Sequence, residues 1–93
     1  MTIGVATIRM RLPSRTLKEK RTIVKSVVER LRQRFNVSVA EVEDLDSAGL
    51  ATIAIACISN DAHHADEQLQ EIVGVVQAWR LDAEIIEVGT ELL

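Results

Sequence analysis

The order of hydrophobic periods along this 93-residue chain predicts an α+β sandwich, with elements in the order β-α-β-β-α-β. Three observations carry that prediction. Both ends of the chain alternate apolar and polar residues with period two, as half-buried strands do. Two long segments, 16–35 and 61–80, instead repeat their apolar residues at helical spacing. Between them lie two strand-like runs joined by an acidic turn.

Residues 2–12 place Gly4, Ala6, Ile8, Met10 and Leu12 on one face and Thr7, Arg9 and Arg11 on the other. Pro13 and Ser14 stop the strand. Thr16 followed by Glu19 is a capping box, which opens a helix to about Phe35. Its buried stripe is expected to be Leu17, Val24, Val27, Val28, Leu31 and Phe35. Residues 37–42 read as a second strand, and residues 43–49 as an acidic turn ending in Gly49. Residues 50–58 are apolar or small at nearly every position, which suits a central strand with both faces partly covered. Ser59, Asn60 and Asp61 supply N-cap chemistry for a second helix to about Arg80, with the stripe Ala65, Leu69, Ile72, Val76 and Trp79. Residues 84–92 alternate again, Ile86, Val88 and Leu92 against Glu87 and Glu91. Two right-handed crossovers around a hairpin make this a single ferredoxin-like domain spanning 1–93. Four antiparallel strands in the order 4-1-3-2 would carry both helices on one face.

Composition narrows the function. At 47 % hydrophobic and 27 % charged, the chain is globular and not disordered. No window approaches the roughly 18 unbroken apolar residues of a membrane span. Residues 1–5 run straight into a strand pattern, so no signal peptide is expected. One cysteine, Cys57, excludes an internal disulfide and points to the cytoplasm; it is expected to be a buried, inert thiol. No catalytic motif is present, so the expectation is a protein that is not an enzyme and has no cofactor. His63, His64, Asp61, Asp66, Glu67 and Glu71 cluster in sequence, but one surface helix presents them divergently, and a zinc site needs three or four convergent ligands. An ordinary polar helix start is the simpler reading.

The net charge of −3 hides an asymmetry. Residues 1–35 hold ten of the eleven basic side chains and two acids, a net of +8. Residues 36–93 hold Arg80 against twelve acids, a net of −11. On the first helix, Lys18, Arg21, Lys25 and Arg32 share a sector of about 60° beside the buried stripe and span roughly 21 Å. Arg15 precedes them. Lys20, Arg30 and Arg34 form a second basic flank. A row of cations at this pitch can track nucleic-acid phosphates. The competing reading pairs one flank with Asp66, Glu67 and Glu71 of the second helix. Arg9 and Arg11 point to the opposite sheet face, where cross-strand pairing with Glu87 and Glu91 is expected. That face also carries Ile3, Val5, Thr7, Thr52, Ala54, Ala56 and Ile58 and no aromatic. It therefore suits a protein surface better than stacked bases, and a homodimer through this face or an edge strand is expected.

The stretch from Leu17 to Arg21, the run from Arg34 to Val42 (RFNVSVAEV) and the Ser59-Asn60-Asp61 turn resemble the YlxP-like family of small bacterial proteins, a domain of unknown function. The resemblance covers nearly the whole chain. It implies a cytoplasmic ferredoxin-like protein commonly encoded near translation and ribosome-maturation genes, with no assigned catalytic residues. Members often carry a Trp-containing hairpin turn where this chain reads Asp44 to Gly49 without an aromatic. Together these readings give an expected non-catalytic accessory factor associated with RNA or the ribosome. The alternative is a protein-interaction module whose basic helix docks an acidic protein surface. A third reading places an enzyme or sensor site at a dimer seam.

Overall fold

The computed structural model describes residues 1–79 and 82–93. Its elements are β1 (Thr2–Arg11), α1 (Leu17–Arg34), β2 (Ser38–Glu43), β3 (Leu50–Ser59), α2 (Ala62–Ala78) and β4 (Glu84–Leu92). The strands form one antiparallel sheet in the order β2-β3-β1-β4, the ferredoxin-like arrangement the periodicity predicts. The expected end of the second helix at Arg80 lies outside the described residues; α2 runs to Ala78 and is capped by Trp79.

Alternation decides which side of each strand is buried. Ala6, Ile8 and Met10 of β1 and Ala51, Ile53 and Ile55 of β3 turn towards the helices and are fully covered. From the helices come Val24, Val27 and Leu31 of α1 and Ala65, Leu69, Ile72 and Val76 of α2. Leu17, Val28, Phe35 and Trp79 of the expected stripes are only partly covered. α1 rests on the β2 side of the sheet and α2 crosses β1, β3 and β4. Gly4 lies beneath α2, where a Cβ would come within 3.0 Å of Cys57 Sγ and 3.1 Å of Leu69 Cδ1. The close approach of strand to helix there depends on the missing side chain. Cys57 is buried, as expected.

Two bulges shift the faces. The β1–β4 register slips between Arg9 and Met10, so Ile85 pairs with Met10 and Ile86 is the extra residue. Ile85 therefore packs against the core, and Ile86, expected inside, is exposed. A second slip between Glu41 and Glu43 turns Val42 outward.

The helix starts follow from local hydrogen bonding. Thr16 Oγ1 accepts from the Glu19 N–H at 3.1 Å. The Glu19 carboxylate accepts from the Arg15 N–H at 3.0 Å, one residue before the cap. Asp61 Oδ1 accepts from the N–H groups of His63 and His64.

Candidate nucleic-acid interface

The core-facing stripe of α1 contains a lysine. Lys20 stands four residues before Val24 and seven before Val27, and it is 1 % exposed. Its Nζ donates to Asp44 O at 2.7 Å and Leu50 O at 3.1 Å, with Leu45 O at 3.3 Å. Glu41 Oε2, turned inward from β2, lies 2.9 Å away as the counter-charge. This contact is ionic, since that oxygen accepts no aligned hydrogen bond. Lys20 is thus removed from the exposed second flank on which the sequence placed it. The physical reason is that three carbonyls and a carboxylate replace the water its ammonium would lose.

The same hydrogen bonds hold the β2–β3 turn against α1. Asp44 there has φ 62°, a left-handed conformation that Asp tolerates better than most residues. Its carboxylate accepts from Thr52 Oγ1 at 2.7 Å and from Arg9 Nε at 3.2 Å. Those two bonds, with the charges of Arg9 and Lys20 adding to them, hold its pKa below the ordinary aspartate value. Ser14 Oγ donates to Ala48 O, and the Leu12 N–H to Gly49 O. Arg9 is therefore paired with Asp44, and Arg11 with Glu84 at 3.2 Å, in place of the Glu87 and Glu91 partners expected. The β1–β4 bulge brings Glu84 opposite Arg11. Glu87 does lie opposite Arg9 in the register, but the left-handed turn at Asp44 brings its carboxylate to the Arg9 guanidinium instead.

With its stripe fixed, α1 has two distinct flanks. Arg30 stacks on the Trp79 ring at 4.4 Å, which identifies the flank facing α2. The other flank carries Lys18, Arg21, Lys25 and Arg32, all exposed, and lies along the open edge of β2. Arg15, also exposed, stands at its N-terminal end. Arg32 donates from Nη2 to Val39 O at 2.8 Å, capping an edge-strand carbonyl that would otherwise be free. Lys25 lies 4.0 Å from Glu29 on the same helix, with both side chains mostly in solvent. Among the described residues no ion pair joins this flank to Asp66, Glu67 or Glu71 of α2.

Other candidate chemistry stays dispersed. His63 pairs with Glu67 at 2.6 Å along one exposed turn of α2. No group of three or more His, Cys, Asp or Glu is arranged to hold a metal among the described residues. A hollow of about 210 Å³ beside Met10, Val76, Gln77 and Trp79 brings together no acid, base or nucleophile. No described helix is long and apolar enough to cross a membrane.

The sequence profile of the family described as "Protein of unknown function (DUF503)" matches residues 3–90. The chain belongs to the DUF503 family. Its relative YlxP of Bacillus subtilis (strain 168), described as an uncharacterized protein, is 28 % identical over 64 residues, covering 69 % of this chain and 70 % of YlxP. The YlxP-like resemblance of the sequence is thereby shown. Among solved structures, the de novo designed protein Foldit4 matches with TM-score 0.59 and 19 % identity over 96 % of both chains, a likeness of fold alone. A dimeric ferredoxin-like protein from an uncultured marine organism matches at TM-score 0.45 and 13 % identity, over 98 % of this chain and 92 % of the other.

Proposed function

We propose that this DUF503 chain is a non-catalytic accessory factor of the cytoplasm that associates with RNA or the ribosome and acts as a homodimer. It binds phosphates through Arg15, Lys18, Arg21, Lys25 and Arg32. One observation carries the reading: this flank faces away from α2, so the acids of the second helix do not neutralise it. Mixed Lys and Arg with no aromatic among them suit phosphate contacts and not base stacking. Binding is then tolerant of RNA sequence. Arg32 contributes less than its neighbours, since Val39 O already engages its guanidinium.

The test is charge reversal of Lys18→Glu with Arg21→Glu. Both residues are exposed, so the variant folds as the wild type does. Loss of binding to RNA or to ribosomal particles supports the reading. Unchanged affinity transfers the flank to an acidic protein partner and overturns it.

A further inference from the structure

Among the described residues nothing covers the face of the sheet opposite the helices, and its rows can be read from the strand registers. Ile3 lies between Ile58 and Leu93, and in the next row Val5 lies beside Ala56. One row further, Thr7 lies between Ala54 and Gly89. These three rows carry a single charge, Glu91, on the β4 rim. In the rows beyond, Arg9 is paired with Asp44 and Arg11 with Glu84, while Glu43 and Glu87 stand exposed beside them with no ion pair among the described residues. Ile58, in the first of these rows, is 70 % exposed. A buried core explains none of that exposure.

We infer that this face is the surface through which two copies of the chain meet, sheet against sheet, in the homodimer proposed above. Three features select a second copy as the occupant. The three apolar rows offer one charge, Glu91, and the unpaired charges at the other end of the face, Glu43 and Glu87, are acids that repel a polyanion. It carries a ridge and a recess on one patch: the exposed Ile58 side chain forms one wall of a hollow of about 420 Å³ that Ile3, Val37, Ser38 and Ala56 also line. A two-fold operator uses that pairing, because each copy presents both halves. The size is also right. Ten residues at about 3.3 Å and four strands at about 4.8 Å give a face of roughly 600 Å² before side-chain relief. A standard interface takes about 800 Å² from each partner. The cationic flank of α1 lies on the other side of the sheet, so both copies keep it free.

The competing geometry is edge-to-edge pairing through β4, and one residue separates the two. Ile3 and Leu93 exchange both backbone hydrogen bonds, so the alternation along the ladder turns the Thr90 N–H and C=O to the open edge. Thr90→Pro therefore blocks edge pairing and leaves the β1 ladder intact. Ile58→Glu places a charge in the face-to-face contact at a position already in solvent in the single chain. Sedimentation equilibrium across the micromolar range reads the result. A wild-type mass about twice 10.3 kDa, retained in Thr90→Pro and weakened about tenfold or more in Ile58→Glu, supports the assignment. A dimer lost in Thr90→Pro and kept in Ile58→Glu overturns this face while the dimer itself stands. A wild-type monomer at every concentration overturns both. Circular dichroism confirms that each variant is folded.

Discussion

Replacing Lys20 by Met tests whether the buried ammonium holds α1 to the β2–β3 turn. Met keeps most of the apolar stem, so the loss is confined to the charged end. That end makes two good hydrogen bonds, to Asp44 O and Leu50 O, and one ion pair with Glu41. Removing one member of a buried ion pair costs about 3–5 kcal/mol, because the other is left without its counter-charge. The Glu41 side chain is still 16 % exposed, so water partly compensates, and the lower end, about 3 kcal/mol, is expected. Domains of this size are stable by roughly 5–15 kcal/mol, so the variant folds with a much lower midpoint. Urea unfolding followed by the fluorescence of Trp79, the single tryptophan, measures it. The midpoint should fall with the slope unchanged. Adding Glu41→Leu to Lys20→Met should recover about 1 kcal/mol or more, since both charges are then gone. A loss below about 1 kcal/mol in Lys20→Met refutes the clamp. So does a double variant less stable than Lys20→Met alone.

Leu31→Ala and Ile72→Ala, both fully buried, should each cost about 2–5 kcal/mol in the same assay. Gly4→Val should cost about 1–3 kcal/mol, because its side chain would press Cys57 and Leu69 apart. For Asp44, the folded-state pKa is depressed by Thr52 and Arg9. Its contribution to stability is therefore present at neutral pH, above the unfolded value, and is lost as pH falls below about 4. Asp44→Asn keeps the left-handed turn and removes the titration. Its stability curve should be flatter than that of the wild type below about pH 4, as read by thermal unfolding at several pH values.

Topology was legible because each element announced its period. Alternation in β1, the capping box of α1 and the Asp61 cap of α2 all placed elements to within a residue or two. The Lys20–Glu41 pair was written in the same patterns. Lys20 occupies a stripe position before Val24, Val27 and Leu31, and Glu41 follows Val39 on the inward side of β2. Two opposite charges at inward positions are the available signal. It is easily overlooked, because lysine is almost never fully buried without a partner. The bulges were not legible. A one-residue slip moves side chains to the other face, and nothing in the alternation of residues 84–92 marks where it occurs. The partner of Arg11 depended on that slip, and that of Arg9 on the left-handed turn at Asp44. The basic flank of α1 was readable from angles alone, but its freedom from α2 required the position of Trp79 against Arg30.

The salt dependence of RNA binding tests the central claim most directly. Among the described residues, the charged groups of Arg15, Lys18, Arg21 and Lys25 make no backbone hydrogen bond, which makes four phosphate contacts available. A log–log plot of affinity against salt should then fall with a slope of roughly −2.8 to −3.6, at about 0.7–0.9 per contact. Lys25→Ala should flatten it by about 0.7–0.9 without altering the unfolding midpoint. An affinity that barely responds to salt, or a slope that Lys25→Ala leaves unchanged, would contradict phosphate recognition by this helix.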